Sequence, residues 1–114
     1  MISGMADEIE GLKGKVLIPG DLVQYQNGSV VSRMITYTPQ GTVTLFAFAA
    51  GAGLSEHSAP YDAILQVLEG TAEVTLEADL HQVKTGELII LPADIPHAVH
   101  AQDSFKMMLT MIHS

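Results

Sequence analysis

Short runs of β-type residues, each stopped by a turn, succeed one another along most of this chain, and no segment carries a helical period over about ten residues. Val16 to Ile18 stops at Pro19-Gly20. Asn27-Gly28 is a strong hairpin signal, because both residue types accept positive φ. Val30 to Tyr37 runs into Pro39-Gln40-Gly41, and Thr42 to Ala49 closes on Gly51 and Gly53. Ile64 to Leu68 reaches the turn Glu69-Gly70. Thr71 to Glu77 then alternates cleanly, with Ala72, Val74 and Leu76 on one face and Glu73, Thr75 and Glu77 on the other, the pattern of a half-buried strand. His81 to Lys84, Leu88 to Leu91, His97 to His100 and Phe105 to Ile112 complete the set. Such a series predicts an all-β sandwich or barrel. Residues 1–14, with Gly4, Gly11 and Gly14, read as a loose lead-in to one domain over 15–114.

The totals narrow the function classes. At 114 residues the chain fits one core, and 47% hydrophobic content with 16% charged residues argues against disorder. No run of about 18 apolar residues is present, and the first residues, with Asp7, Glu8 and Glu10, do not resemble a secretory signal. Cysteine is absent, which removes thiolate metal sites and cysteine nucleophiles and favours a cytoplasmic location. The formal charge of −8 repels phosphate backbones and anionic lipid, so neither nucleic acid nor membrane is expected as a partner.

Two runs do not alternate. Leu45 to Ala50 and Leu88 to Leu91 are apolar on both faces, whereas the outer face of a barrel should be wet. A second cover is therefore expected. A homodimer would supply it, and so would N-terminal strands folded over that face.

Two segments carry the candidate site. Gly51-Ala-Gly-Leu-Ser-Glu-His57-Ser-Ala59-Pro-Tyr-Asp62-Ala63, continuing to Gly70, resembles the first cupin motif, with Gly51, His57 and Gly70 in register. Gly86-Glu-Leu-Ile-Ile-Leu-Pro92-Ala-Asp94-Ile-Pro-His97 resembles the second, with Gly86, Pro92 and His97 in register. The resemblance implies a jelly-roll, or double-stranded β-helix, closed around a small pocket. In metal-binding cupins two histidines and a glutamate of the first motif and a histidine of the second hold a divalent ion. Here the second histidine position is Ala59 and the glutamate position is Ala63, so His57 and His97 remain. The motif's internal glycine is Asp94, and its final asparagine is Ala101.

Two imidazoles alone make a poor metal site, since stable sites present three or four protein ligands. Strand parity turns His100, Asp62 and Glu56 away from the pair. The two alanines enlarge the pocket and make it more apolar, leaving His57 and His97 as its convergent polar groups. With Ala59, Ala63, Leu65, Val99 and Met107 completing the lining, the expected function is binding of a small, mostly apolar molecule. Both imidazoles should be mainly neutral at pH 7. The alternative is a metal-dependent enzyme of the oxygenase or isomerase class, with His57 and His97 as two ligands to zinc, nickel, iron or manganese.

Overall fold

The computed structural model describes residues 2–113. An N-terminal helix α1 (Ile2–Leu12) and a 3-10 turn (Pro19–Leu22) precede nine strands. These are β1 (Val30–Thr38), β2 (Gly41–Phe48), β3 (Gly53–His57), β4 (Ala63–Glu69), β5 (Thr71–Leu76), β6 (Asp79–Lys84), β7 (Leu88–Leu91), β8 (His97–His100) and β9 (Phe105–Ile112). They form a five-stranded sheet in the order β1-β2-β9-β4-β7 and a four-stranded sheet in the order β3-β8-β5-β6. All pairings are antiparallel. This is the double-stranded β-helix that the strand series and the motifs predict.

The alternation read from the sequence decides which side chains meet between the sheets. Ala63, Leu65 and Val67 of β4 point inward with Ala72 and Val74 of β5, and β9 contributes Phe105 and Met107. The Phe48 and Phe105 rings stack at 4.5 Å between centroids. Gly70, where the chain passes from β4 to β5, has φ +82°, and a Cβ there would sit 2.7 Å from the Ser104 carbonyl oxygen. Only glycine fits that crossover.

The N-terminal region departs from expectation. Residues 2–12 are helical, not a loose lead-in. Met5, Ile9 and Leu12 recur at helical spacing, and Ile9 and Leu12 rest beside Ile35 and Tyr37 of β1. Glycines at 4 and 11 weaken the local signal, so contact with the sheet stabilises this short helix more than propensity does. Val16 to Ile18 is not a strand either; it belongs to no sheet, and Val16 and Ile18 are exposed. Gln26 to Ser29 is a turn, with the Ser29 N–H donating to the Gln26 carbonyl at 3.0 Å and Gly28 at φ +71°. Among the described residues no strand precedes it, so Asn27-Gly28 leads into β1 without closing a hairpin.

One of the two doubly apolar runs finds its second cover within the chain. Phe46 and Phe48 face the core, while Leu45 and Ala47 lie beneath Leu22 and Val23 on the outer face. The covering strap is held by polar contacts. Lys106, 6% exposed, donates from Nζ to the Gly20 carbonyl at 2.7 Å and lies 5.0 Å from the centre of the Tyr25 ring. The Tyr25 hydroxyl donates to Glu69 at 2.5 Å, and Arg33 donates to the Leu22 carbonyl at 3.2 Å. Burial, with the Glu69 carboxylate beside it, holds the Tyr25 hydroxyl protonated well above the usual range. The other run keeps an open side. Ile89 and Leu91 face the core, but Leu88 and Ile90 are 53% and 55% exposed.

Candidate ligand site

The site is built across β3 and β8, whose register pairs Gly53 with His100, Leu54 with Val99 and His57 with His97. Between the last two pairs the register shifts, so that Ser55 and Glu56 oppose Ala98 alone. In unbroken alternation the three-residue step from Leu54 would leave His57 on the opposite face. The bulge turns it back to the inner side, next to His97. The rings then meet edge to face, with centroids 4.4 Å apart and planes at 66°. Gly53 lets β3 approach this closely, since a Cβ there would stand 2.6 Å from the Val99 carbonyl oxygen.

Each imidazole is oriented in the same local way. His57 Nδ1 is 2.8 Å from the Ser55 carbonyl oxygen, and His97 Nδ1 is 3.3 Å from that of Ile95. A carbonyl only accepts, so both Nδ1 atoms carry hydrogen and, in the neutral rings, both Nε2 lone pairs are left bare.

The loop before β8 is fixed to the segment after β3. The Asp94 N–H donates to the Ala59 carbonyl at 2.7 Å, and the Ala93 N–H donates to Asp62 Oδ1 at 2.8 Å. Asp94 has φ +66°, a left-handed conformation that aspartate tolerates better than most residues. That conformation explains why the cupin motif places glycine there. Strand parity turns Asp62 away from the pair but does not announce its role as an anchor for this loop. An aspartate just before a strand, free to accept a backbone N–H, was the available signal.

The seven residues read as pocket lining are placed at different depths. His57 is exposed and Ala59 half-buried, whereas Ala63, Leu65, His97, Val99 and Met107 are buried. Leu65, Val99 and Met107 belong to the main core cluster. Among the described residues, no nearby acid or histidine joins the two rings. His100 points to the outer face, with Nδ1 3.0 Å from Glu73 Oε1, and the His113 ring lies against Tyr61 at a tilt of 35°, with centroids 4.5 Å apart. Among the described residues, no group of three or more histidine, cysteine, aspartate or glutamate side chains is placed to hold a metal ion.

His97 is 8% exposed, and burial holds its pKa below 6.5. The nearby His57 pushes the same way, and the hydrogen bond to Ile95 opposes both. The unfolded chain therefore takes up this proton first as pH falls. The contribution of neutral His97 to stability is complete above about pH 6.5 and is lost below it, down through the folded-state value. Urea midpoints at pH 7.5, 6.5 and 5.5 are expected to fall more steeply for the wild type than for His97→Gln. Parallel slopes would contradict that assignment.

Residues 44–113, well over half of the chain, match the family described as Cupin domain. The chain belongs to the cupin family. Among solved structures, this cupin is similar to a conserved Streptococcus pyogenes protein of unknown function, at 32% identity, 89% coverage of each chain and a TM-score of 0.84. It is also similar to a cupin 2 conserved barrel domain protein from Leptotrichia buccalis, at 37% identity and a TM-score of 0.79, covering 82% of this chain and 45% of that one. A cupin superfamily protein from Desulfitobacterium hafniense shares the fold at 22% identity, with 90% and 94% coverage and a TM-score of 0.84. No curated protein matches at a significant level.

Proposed function

We propose that this cupin binds a small, largely apolar molecule through His57 and His97, using the two bare Nε2 atoms as acceptors for a hydrogen-donating group. One observation carries the reading. Both rings are pinned through Nδ1 to carbonyls of their own segments and stand 4.4 Å apart, one buried and the other at the surface. Preorganised acceptors above an apolar floor suit a ligand with one polar handle.

Cupins often bind metals, but these residues do not fit a resident ion. A transition-metal site uses three or four protein donors, and an iron oxygenase site wants two histidines with a carboxylate. Ala59 and Ala63 stand at the other two motif positions. A metal-dependent enzyme is the second reading. It rests on the same pinned rings, because metal-bound histidines commonly donate their other N–H to a carbonyl.

The test uses untagged protein. Native mass spectrometry should find a small molecule retained by the wild type and absent from the His57→Ala, His97→Ala double variant, with metal by elemental analysis well below one ion per chain. Near-stoichiometric metal that disappears in the double variant would favour the second reading. If neither ligand nor metal is retained, and a fragment library leaves the imidazole NMR signals unmoved, the binding proposal fails.

A further inference from the structure

Asn27-Gly28 is a motif that neither the barrel nor the imidazole pair absorbs. The sequence holds a single asparagine, and glycine follows it. The two residues form the tip of the turn from Gln26 to Ser29, and both are exposed. Among the described residues, neither the Gly28 N–H nor the Asn27 side-chain amide has a hydrogen-bond partner. Gly28 has φ +71°, and a Cβ built there would meet nothing within 4 Å. The Gly28 nitrogen is therefore shielded neither by a side chain of its own nor by a neighbour.

These are the conditions for an intramolecular reaction. Once hydroxide removes the Gly28 amide proton, the nitrogen can attack Cγ of Asn27, which the chain already holds nearby. A bond forms between that nitrogen and Cγ. The bond from Cγ to the side-chain nitrogen breaks, and ammonia leaves with a proton taken from water. The product is a cyclic imide, which water opens at either carbonyl. Opening at the side-chain carbonyl gives aspartate. Opening at the main-chain carbonyl gives isoaspartate, whose backbone runs through the former side chain. Water is the only reactant consumed.

The position of the turn decides the consequence. It joins the strap to β1, and the Ser29 carbonyl accepts the Ala49 N–H at 3.0 Å. The turn itself is closed by the Ser29 N–H on the Gln26 carbonyl at 3.0 Å. Isoaspartate inserts an extra backbone atom between those two groups, and a turn closed over a fixed number of bonds no longer fits. It also adds a negative charge to the formal −8. The strap keeps its separate ties, from Lys106 to Gly20 and from Tyr25 to Glu69. The barrel stays closed while the joint loosens.

We propose that Asn27 is a self-modification site, which converts through the cyclic imide to isoaspartate and loosens the joint between the strap and β1. Mass spectrometry of the full chain held in mildly alkaline buffer tests the chemistry. The tryptic peptide 16–33 should gain the mass difference between an amide and an acid, and should separate into aspartyl and isoaspartyl forms. Direct hydrolysis of the amide gives aspartate alone, so isoaspartate marks the cyclic route. The rate should rise with pH, because the nitrogen reacts deprotonated. It should lie within about tenfold of the rate in a free peptide of the same sequence, since an exposed loop opens almost freely. Asn27→Gln should not convert on this timescale, because its longer side chain closes a larger ring.

Amide exchange tests the consequence. In the converted chain, residues 26–29 should exchange about tenfold faster while both sheets keep their protection. Asn27→Asp carries the same added charge without the extra backbone atom and should exchange like the wild type. Conversion to aspartate alone, a rate below the stated range, or a converted chain that exchanges like Asn27→Asp would each overturn the proposal.

Discussion

Replacing Phe105 by alanine is expected to remove about 3–5 kcal/mol of stability, against a total of about 5–15 kcal/mol for a domain of this kind. Phe105 is fully buried, lies opposite Phe48 in the β2–β9 register and stacks on its ring with planes 9° apart. Its Cβ also abuts the Gly70 crossover, where any collapse into the space left behind is limited by backbone on both sides. A site that relaxes poorly sits at the costly end of the large-to-small range. Urea unfolding followed by far-UV circular dichroism should show the midpoint falling by about a third to a half for a domain of about 10 kcal/mol. Phe105→Leu, which keeps most of the volume, should recover much of the loss. A change below about 1 kcal/mol in the alanine variant would mean that this end of the barrel is loosely packed.

The second large effect is expected at Lys106. Its buried ammonium group joins the strap to the sheet through the Gly20 carbonyl and the Tyr25 ring, and Glu69 lies across from it in the β4–β9 register. A hydrogen bond from a charged donor contributes about 1.5–3 kcal/mol, and Lys106→Ala also leaves the Gly20 carbonyl without that donor. The loss should be concentrated in the strap. Amide exchange over residues 20–25 should accelerate at least tenfold, while the strands of the four-stranded sheet keep their protection. Lys106→Met separates packing from charge, because it restores the apolar stem without the donor. Uniform acceleration across the chain would refute the strap assignment, since it would make Lys106 a general core residue.

Much of the barrel is legible in the residues because its strands are short, alternating and punctuated. Thr71 to Leu76 and the β9 run can be read inward and outward without coordinates, and β4 to β9 carry most of the core. His57 and His97 are legible for a different reason: two glycine- and proline-framed motifs place them. What escapes is set by contacts rather than by pattern. Helix α1 depends on Ile9 and Leu12 meeting Ile35 and Tyr37, which no local propensity announces. The two covers proposed for the doubly apolar runs could not be separated in sequence, because Leu45 and Leu88 look alike until the strap's path is known. Strand parity correctly turns His100 outward, yet the bulge at Ser55-Glu56 has no compositional mark. Only the pairing with β8 reveals it.

The bulge separates the barrel from its site in a way that bears on how such a chain can change. Facing of His57 toward His97 is set by the pairing of β3 with β8, not by the identity of Ser55 or Glu56. Losing one codon there would let β3 pair with β8 in regular alternation and leave the imidazole facing inward, because it would then follow Leu54 by two residues. The scaffold can therefore shorten by one residue at this point and still keep its two imidazoles together on the inner face.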